Sequence, residues 1–363
     1  MQAQTIALLI LTFGIAVVLT VVIKKVATYF KIVDLPNKPR KIHSHSTPLL
    51  GGVAVILSFI LGMIFLWPQL QSGQFLTKHL LGVIIGSIFI LIGGILDDRF
   101  DLAPRWQIIF PMLATISIIT AGIGISYITN PFGDLFYLDS IKFTVFTIKG
   151  IPYALTLLAD LFTLLWLTGM MYTTKFLDGL DGLVSGVTVI GSVIIFILSL
   201  SQEVLQADTA LLAALVAVVF LGFLFFNWHP AKIFLGESGS LFAGFILGVL
   251  AIISGGKIAT ALLILGVPIF DVLWVIFRRF FLEKKSPFLA DRQHLHLRLL
   301  DIGLSHRQVV LILYTLTTIF GVSALFLQSK QKAYVLLLLL TIMIILGFIL
   351  VHLHKKKAKR NNL

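Results

Sequence analysis

The sequence predicts an all-α, polytopic integral membrane protein with about eleven transmembrane helices, and three observations support this prediction. Of the 363 residues, 58% are hydrophobic and only 12% are charged, whereas a soluble domain is close to half apolar and a quarter charged. Apolar runs such as 5–23 and 334–353 approach or exceed the length that crosses a bilayer. The runs are continuous, whereas strands of a membrane β-barrel alternate apolar and polar residues, so helices are expected.

About eleven apolar runs account for these helices. Their approximate limits are 4–23, 51–70, 80–96, 105–127, 154–172, 183–201, 207–227, 239–255, 258–277, 307–327 and 333–352. Positive charge follows the first run, at Lys24 and Lys25, so this run is predicted to be a retained span and not a signal peptide. The sequence contains no cysteine, which excludes disulfides and thiolate metal sites. We expect one integral membrane domain over residues 1–363.

Lysine and arginine are divided unevenly between the two sides of these spans. With the N-terminus outside, the cytoplasmic segments contain 22 of the 28 lysines and arginines, and the outer loops contain 6. The positive-inside rule therefore predicts an outer N-terminus and a cytoplasmic C-terminus. The net charge of +12 favours anionic lipid headgroups and anionic substrates. Nucleic acid is not expected as a partner, because the basic residues are split among short loops of a membrane protein.

The longest outer loop covers about residues 128–153. Residues 132–139 and 142–148 within it are rich in β-branched and aromatic residues and lie close together in sequence. They are predicted to pair as a short extracytoplasmic β-hairpin.

Acidic residues cluster on the predicted cytoplasmic side. They include Asp97 and Asp98, Asp178 and Asp181, and Glu237, each at the edge of an apolar run. A single such carboxylate is most simply a helix cap or a solvated helix end, but acids on four loops at one membrane face indicate a function. Carboxylates suit a hard cation such as Mg²⁺, and the nearby Arg and Lys residues suit phosphate oxygens. The residues alone therefore predict Mg²⁺-dependent phosphate chemistry at the cytoplasmic face and name no substrate.

Five sequence blocks resemble a known family. They are DLPNKPRKIHSHSTPLLGG (34–52), GGILDDRFDL (93–102), KFLDGLDGLVSG (175–186), FNWHPAKIFLGESGSL (226–241), and PIFDVLWVIFRR (268–279) with SPFLADRQHLHLRLLDIG (286–303). In this order they resemble the polyprenyl-phosphate N-acetylhexosamine-1-phosphate transferases, glycosyltransferase family 4. The resemblance covers most of the chain and favours the WecA/TagO branch over the related MraY branch.

This resemblance implies a reaction and a location. The lipid phosphate, undecaprenyl phosphate, would attack the β-phosphorus of a UDP-sugar on the cytoplasmic face of the bacterial inner membrane, and UMP would be released. Mg²⁺ is the expected cofactor, with Mn²⁺ as an alternative. The expected product, undecaprenyl-diphospho-sugar, begins a cell-envelope glycan such as teichoic acid or lipopolysaccharide. A homodimer is left open, because the sequence does not give the oligomeric state.

The resemblance also implies roles for individual residues. Asp97 and Asp98 match paired aspartates that either organise metal or deprotonate the lipid phosphate; a phosphate monoester has a second pKa of about 6, which favours metal organisation. The predicted catalytic residues are Asp97, Asp98, Asp178, Asp181 and His294, and the predicted metal ligands are Glu237, Asp97 and Asp178. The predicted substrate-binding residues are Lys41, His43, Lys175, Phe234, Arg278, Arg279, Arg292, His296 and Arg298.

Spacing refines three of these roles. Asp178 and Asp181 share one face if their segment is helical, and they are assigned to the nucleotide and the diphosphate. The structural alternative is a helix cap followed by a glycine-permitted kink. Phe234 matches an aromatic residue that stacks on uracil, and an aromatic at the membrane interface is its alternative. His294 and His296 would point to opposite sides of a helix, so both reach one ligand only if the segment is not helical.

The sequence departs from the usual family pattern at a few positions. Tyr172 and Lys175 stand where asparagines are frequent, Glu237 replaces an aspartate, and Leu297 replaces a histidine. UDP-GlcNAc is the first expectation for the donor, with another UDP-sugar such as UDP-MurNAc-pentapeptide as the alternative. The rival classes are a transporter, which would use Asp160 and Asp271 as intramembrane groups, and a non-catalytic scaffold. UMP release discriminates the enzyme from both.

Overall fold

The computed structural model describes residues 2–34, 46–130, 133–148, 151–202, 204–255, 258–282, 284 and 294–361. Across these ranges the chain is mainly helical, as predicted. The helices are α1 (Ala3–Tyr29), α2 (Gly51–Phe65), α3 (Trp67–Leu70), α4 (Thr77–Phe100), α5 (Pro104–Gln107), α6 (Ile109–Thr120), α7 (Leu157–Leu177), α8 (Leu183–Leu200), α9 (Ala207–Asn227), α10 (Gly236–Ile253), α11 (Ile258–Ile264), α12 (Gly266–Phe277), α13 (Leu295–Asp301), α14 (His306–Phe326) and α15 (Ser329–Asn361).

The long apolar helices make the chain a multi-pass membrane protein. In the described part, eight helices have the length and composition to cross a bilayer: α1, α4, α7, α8, α9, α10, α14 and α15. The number becomes nine if α11 and α12, which are bent by 81°, form one broken span. The predicted count of about eleven is not confirmed. The segments predicted at 51–70 and 105–127 contain α2 and α6, of 15 and 12 residues, which are shorter than the roughly 20 residues of a full span.

In the part of the chain that the structure describes, three two-stranded antiparallel sheets lie outside the helices. They pair β1 (Val33–Asp34) with β2 (Thr47–Pro48), β3 (Tyr127–Thr129) with β4 (Leu135–Tyr137), and β5 (Lys142–Ile148) with β6 (Ile151–Thr156). The strand at 142–148 is confirmed with its predicted limits. Its predicted partner at 132–139 is wrong, because β5 pairs instead with the strand that follows after two residues. The predicted span 154–172 accordingly begins three residues late, at Leu157.

Helix α10 lies in the centre of the bundle and is the most deeply buried of the candidate spans. Its phenylalanines pack against α2 and α9, as in the stacked rings of Phe220 and Phe242. Helix α4 approaches the start of α10 very closely at Gly94, where a Cβ atom would lie 2.3 Å from Cα of Ser238. Glycine is therefore required there, and the close approach brings the end of α4 beside the first residues of α10.

Asp160, which the transporter hypothesis places inside the membrane, lies in the first turn of α7. Its Oδ2 atom accepts a hydrogen bond from the backbone N–H of Thr156 at 2.7 Å. This contact satisfies one of the free N–H groups at a helix start, so the carboxylate has a capping role. The other end of α7, at Lys175 and Leu177, leads into the polar cluster described next.

Candidate functional site

A lysine lies among carboxylates where α4 and α7 end and α10 begins. Lys175 Nζ lies 2.9 Å from Glu237 Oε2 and 3.7 Å from Asp97 Oδ2. It also donates a hydrogen bond to Gln107 Oε1 at 3.0 Å. The contact with Glu237 has the geometry of an ion pair rather than of an aligned hydrogen bond. Two residues at which the sequence departs from its family pattern, Lys175 and Glu237, therefore contact each other.

Gln107, which the sequence analysis did not identify, fixes the position of Asp97. Its Nε2 atom donates to Asp97 Oδ1 at 3.1 Å and to the backbone oxygen of Leu102 at 2.9 Å. The backbone N–H of Leu102 also donates to Asp97 Oδ1, at 2.9 Å. With one oxygen held in this way, Asp97 is turned with its second oxygen toward Lys175. No motif in the sequence distinguishes Gln107 or Leu102 from their neighbours.

Asp98 connects α4 to the beginning of α10. Its Oδ1 atom accepts a hydrogen bond from the backbone N–H of Glu237 at 3.1 Å. A carboxylate at this place satisfies a free N–H group and interacts favourably with the helix dipole. The Oδ2 atom of Asp98 is buried and has no hydrogen-bond partner among the described residues. A buried carboxylate oxygen without a partner is costly, so Asp98 offers an acceptor for a cation or a ligand. Asp98 therefore caps a helix, which was the structural alternative to a functional role. The helix that it caps is α10, and not α4, to which Asp98 itself belongs.

Asp178 ends α7 and is exposed at the mouth of this cluster. Loss of hydration among the surrounding helix ends raises the pKa of the Asp178 carboxyl to about 8, and the nearby carboxylates of Glu237 and Asp181 add to this shift, while part of the residue stays open to solvent. Its exposure means that a cation can reach this carboxylate from solvent. A bound cation would favour the ionised form and lower this pKa again.

Asp181 belongs to a different group of side chains. Its Oδ2 atom lies 2.7 Å from His229 Nδ1 and accepts a hydrogen bond from the backbone N–H of Ala231 at 3.1 Å. Asp178 and Asp181 do not share a helical face, because residues 178–182 form the turn between α7 and α8. The structural alternative, a cap followed by a glycine-permitted kink, describes this backbone. Gly182 at the start of α8 has a φ of +79°.

The two predicted histidines lie at the start of α13. His294 precedes the helix with extended backbone angles, and His296 lies in the first turn, so their rings stack with centroids 5.8 Å apart. Asp271 holds this segment in place. It contacts His294 Nδ1 at 2.9 Å and accepts from the backbone N–H of Leu295 at 2.8 Å. Asp271 therefore positions a histidine, and this contact accounts for a carboxylate within α12.

His296 faces the turn that carries Asp178. A Cβ atom built on Gly179 would lie 2.3 Å from His296 Nε2, so glycine is required at this position. Burial is the main cause that lowers the pKa of His296 to about 4. The imidazole is consequently neutral near pH 7, with one donor and one acceptor nitrogen. It is suited to a hydroxyl or amide group more than to the charge of a phosphate.

The predicted metal ligands Asp97, Asp178 and Glu237 are in one region but are not gathered around one point. Among the described residues, the group of three or more potential ligands whose atoms lie within 4.8 Å of one another is Asp181, His229 and His306. Lys175 separates Asp97 from Glu237. The donor set nevertheless fits a hard cation that substrate phosphates also hold, because Mg²⁺ commonly uses one or two carboxylates together with phosphates and waters.

The remaining predicted residues lie around this centre. Arg278 and Arg279 are buried where α12 gives way to one π-helical segment, Arg278–Leu282. Arg298 and Asp271 line a cavity of about 340 Å³ that is otherwise mostly apolar, between α12, α13 and α15. The backbone of Phe234 bonds to Pro48 and Gly51, which joins the 228–235 segment to the start of α2. Lys41, His43 and Arg292 lie outside the described residues.

Comparisons with known proteins identify the family of the chain. The family model described as glycosyl transferase family 4 matches residues 80–255, which contain Asp97, Asp178 and Glu237. A relative from Bacillus subtilis, named as a probable undecaprenyl-phosphate N-acetylglucosaminyl 1-phosphate transferase, is 33% identical over 321 residues. These cover 86% of this chain and 82% of the relative.

Two further relatives carry similar names. A decaprenyl-phosphate N-acetylglucosaminephosphotransferase from Mycobacterium tuberculosis is 31% identical, over 87% of this chain and 81% of its own length. An undecaprenyl-phosphate alpha-N-acetylglucosaminyl 1-phosphate transferase from Thermotoga maritima is 27% identical, over 93% and 94% of the two chains. The chain therefore belongs to glycosyl transferase family 4, within the polyprenyl-phosphate N-acetylhexosamine-1-phosphate transferase superfamily.

Proposed function

We propose that the chain transfers N-acetylglucosamine-1-phosphate from UDP-GlcNAc to undecaprenyl phosphate at the cytoplasmic face of a bacterial inner membrane. The observation that carries this proposal is a cluster of carboxylates at one end of a bundle of apolar helices: Lys175 lies between Asp97 and Glu237, and Asp98 and Asp178 lie beside Glu237. Phosphoryl transfer depends mainly on positioning and charge stabilisation, and such a cluster can supply both.

In this reaction an oxygen of the lipid phosphate attacks the β-phosphorus, which bears the sugar. A new P–O–P linkage forms, the bond from the β-phosphorus to the bridging oxygen breaks, and UMP leaves with that oxygen. The second pKa of a phosphate monoester is about 6, so the attacking group is mostly dianionic at pH 7. A general base would contribute little, and the roles proposed for Asp97 and Asp98 are orientation and metal organisation.

The residues of the cluster have distinct proposed roles. Asp98, with its unpartnered Oδ2 atom, and the exposed Asp178 would hold Mg²⁺ together with the diphosphate. When bound, Mg²⁺ would supply neutralisation of the charge on the phosphoryl oxygens. Lys175 would place a second positive charge beside the diphosphate, kept in position by Glu237 and Gln107. The neutral His296 would contact the sugar, and Phe234 would stack on uracil.

The acceptor lipid requires an apolar groove with a positive group at its end. The cavity between α12, α13 and α15 has this character, because Trp274, Phe277 and Met343 line it and Arg298 lies at its polar side. We assign the first part of the polyprenyl chain to this cavity and the lipid phosphate to the neighbourhood of Arg298. An isoprenoid chain contributes hydrophobic burial there without directional contacts.

The rival reading as a transporter has one feature in its favour. Broken helices such as the α11–α12 pair, bent by 81°, are common at transporter substrate sites. The clustered carboxylates, however, lie at helix ends and not midway along the spans. Asp160 and Asp271 both have local structural partners.

The test is UMP release by the purified chain in detergent with UDP-GlcNAc, undecaprenyl phosphate and Mg²⁺, with EDTA as control. EDTA-sensitive UMP that requires both substrates is expected. UMP release with UDP-MurNAc-pentapeptide and not with UDP-GlcNAc would identify a different donor for the same reaction. No UMP with any UDP-sugar would contradict the reaction, and uptake of a solute into vesicles would then support the transporter.

Proton competition at Asp178 should make the Mg²⁺ requirement depend on pH. Because the pKa of Asp178 is raised to about 8, the carboxyl is mostly protonated at pH 7, and a cation must displace that proton. The Mg²⁺ concentration for half-maximal UMP release should therefore fall roughly tenfold per pH unit from pH 6 to 8 and level off above. A half-maximal Mg²⁺ concentration that does not change over this range would remove Asp178 from the cation site.

Gly179→Ala should damage the site without unfolding the bundle. The added methyl group would push against His296 Nε2 and displace the turn that carries Asp178. A displacement of about 1 Å can reduce turnover about 100-fold, and a loss of this order in UMP release is expected. Gly169→Ala is the matched control, because Gly169 lies on α7 with nothing within 4 Å of its added Cβ. Equal activity of the two variants would show that His296 and the turn are not coupled.

A further inference from the structure

A second group of potential ligands lies beside the proposed active site. It consists of Asp181, His229 and His306, which each offer one ligand atom within 4.8 Å of the others. His229 Nδ1 is 2.7 Å from Asp181 Oδ2, and the imidazole rings of His229 and His306 stack with centroids 4.0 Å apart and an interplanar angle of 14°. The group combines two imidazoles with one carboxylate.

The three residues come from separate parts of the chain, and each is held by its own contacts. Asp181 lies in the α7–α8 turn, where Ala231 N–H donates to its carboxylate. His229 follows α9, and the guanidinium of Arg307 donates to its backbone oxygen at 3.0 Å. His306 is the first residue of α14, and the same helix reaches back to the turn, where the Tyr314 hydroxyl donates to the backbone oxygen of Gly182. These contacts fix the backbone that carries each of the three residues.

The ring of His306 gives a further indication of a ligand. His306 Nε2 is buried and finds no hydrogen-bond partner in the described part of the chain. Buried polar atoms normally have a partner, so this nitrogen is available to a ligand. Asp181 adds a negative charge beside it, which favours a cation over a neutral molecule.

We propose that Asp181, His229 and His306 bind a transition-metal ion, Zn²⁺ being the first expectation, at a site separate from that of Mg²⁺. Imidazole nitrogens suit Zn²⁺ and its neighbours in the first transition series, whereas Mg²⁺ prefers oxygen ligands. Three protein ligands leave a fourth position for water or a substrate atom. Binding through Nδ1 would use the tautomer of His229 that carries its proton on Nε2.

Coordination requires one imidazole ring to rotate, because a metal lies near the plane of each imidazole that binds it and the planes of His229 and His306 are now stacked at 14°. Two ligands about 2.0 Å from a tetrahedral Zn²⁺ stand roughly 3.3 Å apart. His229 Nδ1 and Asp181 Oδ2, now 2.7 Å apart, would separate slightly. Occupation would tie α14 to the 178–182 turn, three residues from Asp178, and would so fix the turn that carries a proposed active-site carboxylate.

The test measures metal bound by the untagged full-length chain in detergent. The protein is stripped with chelator, incubated with Zn²⁺ in millimolar Mg²⁺, passed through a desalting column and analysed for metal by mass spectrometry. About one Zn²⁺ per chain is expected, and Mg²⁺ should not displace it. His229→Gln and His306→Gln should each weaken binding at least about 100-fold. His79→Gln, at the start of α4 and remote from the group, should bind as the unaltered chain does.

A Co²⁺ absorption spectrum of the unaltered protein gives a second readout that does not depend on any variant folding. Strong visible bands of tetrahedral nitrogen–oxygen coordination are expected. Absence of retained Zn²⁺ together with a spectrum of hydrated Co²⁺ would overturn the proposal. Equal Zn²⁺ retention by both histidine variants would also overturn it, because the metal would then lie at histidines elsewhere. Neither readout requires turnover, so the result is independent of the proposed transferase activity.

Discussion

Asp178→Asn should reduce UMP release about 100- to 1,000-fold while the protein still inserts into the membrane and purifies as the unaltered chain does. The substitution preserves the shape of the side chain and removes the negative charge that a cation at the diphosphate would use. Loss of one group that stabilises charge in a transition state typically costs this much in turnover. Asp178 is accessible at the mouth of the cluster, so removal of its charge leaves no buried gap.

The matched control lies at the other end of the same helix. Asp160→Asn keeps an oxygen that can accept the hydrogen bond from Thr156 N–H, and it removes the same charge from α7. Activity close to that of the unaltered chain is expected. A large loss in Asp160→Asn with normal activity in Asp178→Asn would remove Asp178 from the active site and assign a functional role to Asp160 instead.

Much of the fold could be predicted because hydrophobicity is a local property of the sequence. Every apolar run that was assigned to a span contains a helix, and the strand Lys142–Ile148 has its predicted limits. Helix length was harder to predict, because each of two predicted spans is divided in the structure between a short helix and a longer one, α3 with α2 and α5 with α6. The predicted hairpin partner is wrong because β5 has a possible partner on each side in the sequence. It pairs with β6, to which the connection is shorter.

The site was predicted in its location and only partly in its contacts. The carboxylates at 97, 98, 178 and 237 do meet at one end of the bundle, as their positions at the edges of apolar runs indicated. Their partners could not be predicted, since Lys175, Gln107 and Glu237 lie on different helices. The spacing of Asp178 and Asp181 was misleading, because it implies a shared face only in a helix, and here a turn directs the two side chains to different neighbours.

His229 and His306 were missed for a related reason. His229 was visible within FNWHPAK, but a single histidine at a membrane edge is most simply an interfacial residue. His306 directly follows the Ser305 cap of α14 and carries no motif of its own. Only the folded chain brings their rings to a distance of 4.0 Å.

The second large effect concerns the pair formed by Lys175 and Glu237. Lys175→Asn should reduce UMP release strongly, because it leaves Glu237 and Asp97 without their shared positive neighbour. Glu237→Asp should also reduce it, since the side chain is one methylene shorter and draws back from Lys175. Removal of one partner of a partly buried ion pair leaves the charge of the other partner uncompensated.

The double variant Lys175→Asn/Glu237→Asp should be more active than the product of the two single effects predicts. Asparagine does not require the ion pair, and aspartate at 237 is the residue that the family pattern usually has there. Contacting residues of this kind show interaction energies of about 0.5–3 kcal/mol. In kcat/KM this corresponds to roughly 2- to 150-fold better activity than additivity allows.

The control is a second double-mutant cycle, which combines Glu237→Asp with Lys78→Asn. Lys78 lies in the first turn of α4, at the opposite end of that helix from Asp97, so the two changes should multiply without interaction. Measurement of kcat and KM for UDP-GlcNAc in both cycles decides the question. If the Lys175 cycle is as additive as the Lys78 cycle, the two positions act independently, and their contact is a consequence of packing alone. If only the Lys175 cycle is coupled, the two departures from the family pattern compensate each other, and the lysine is part of the charge balance that the diphosphate meets.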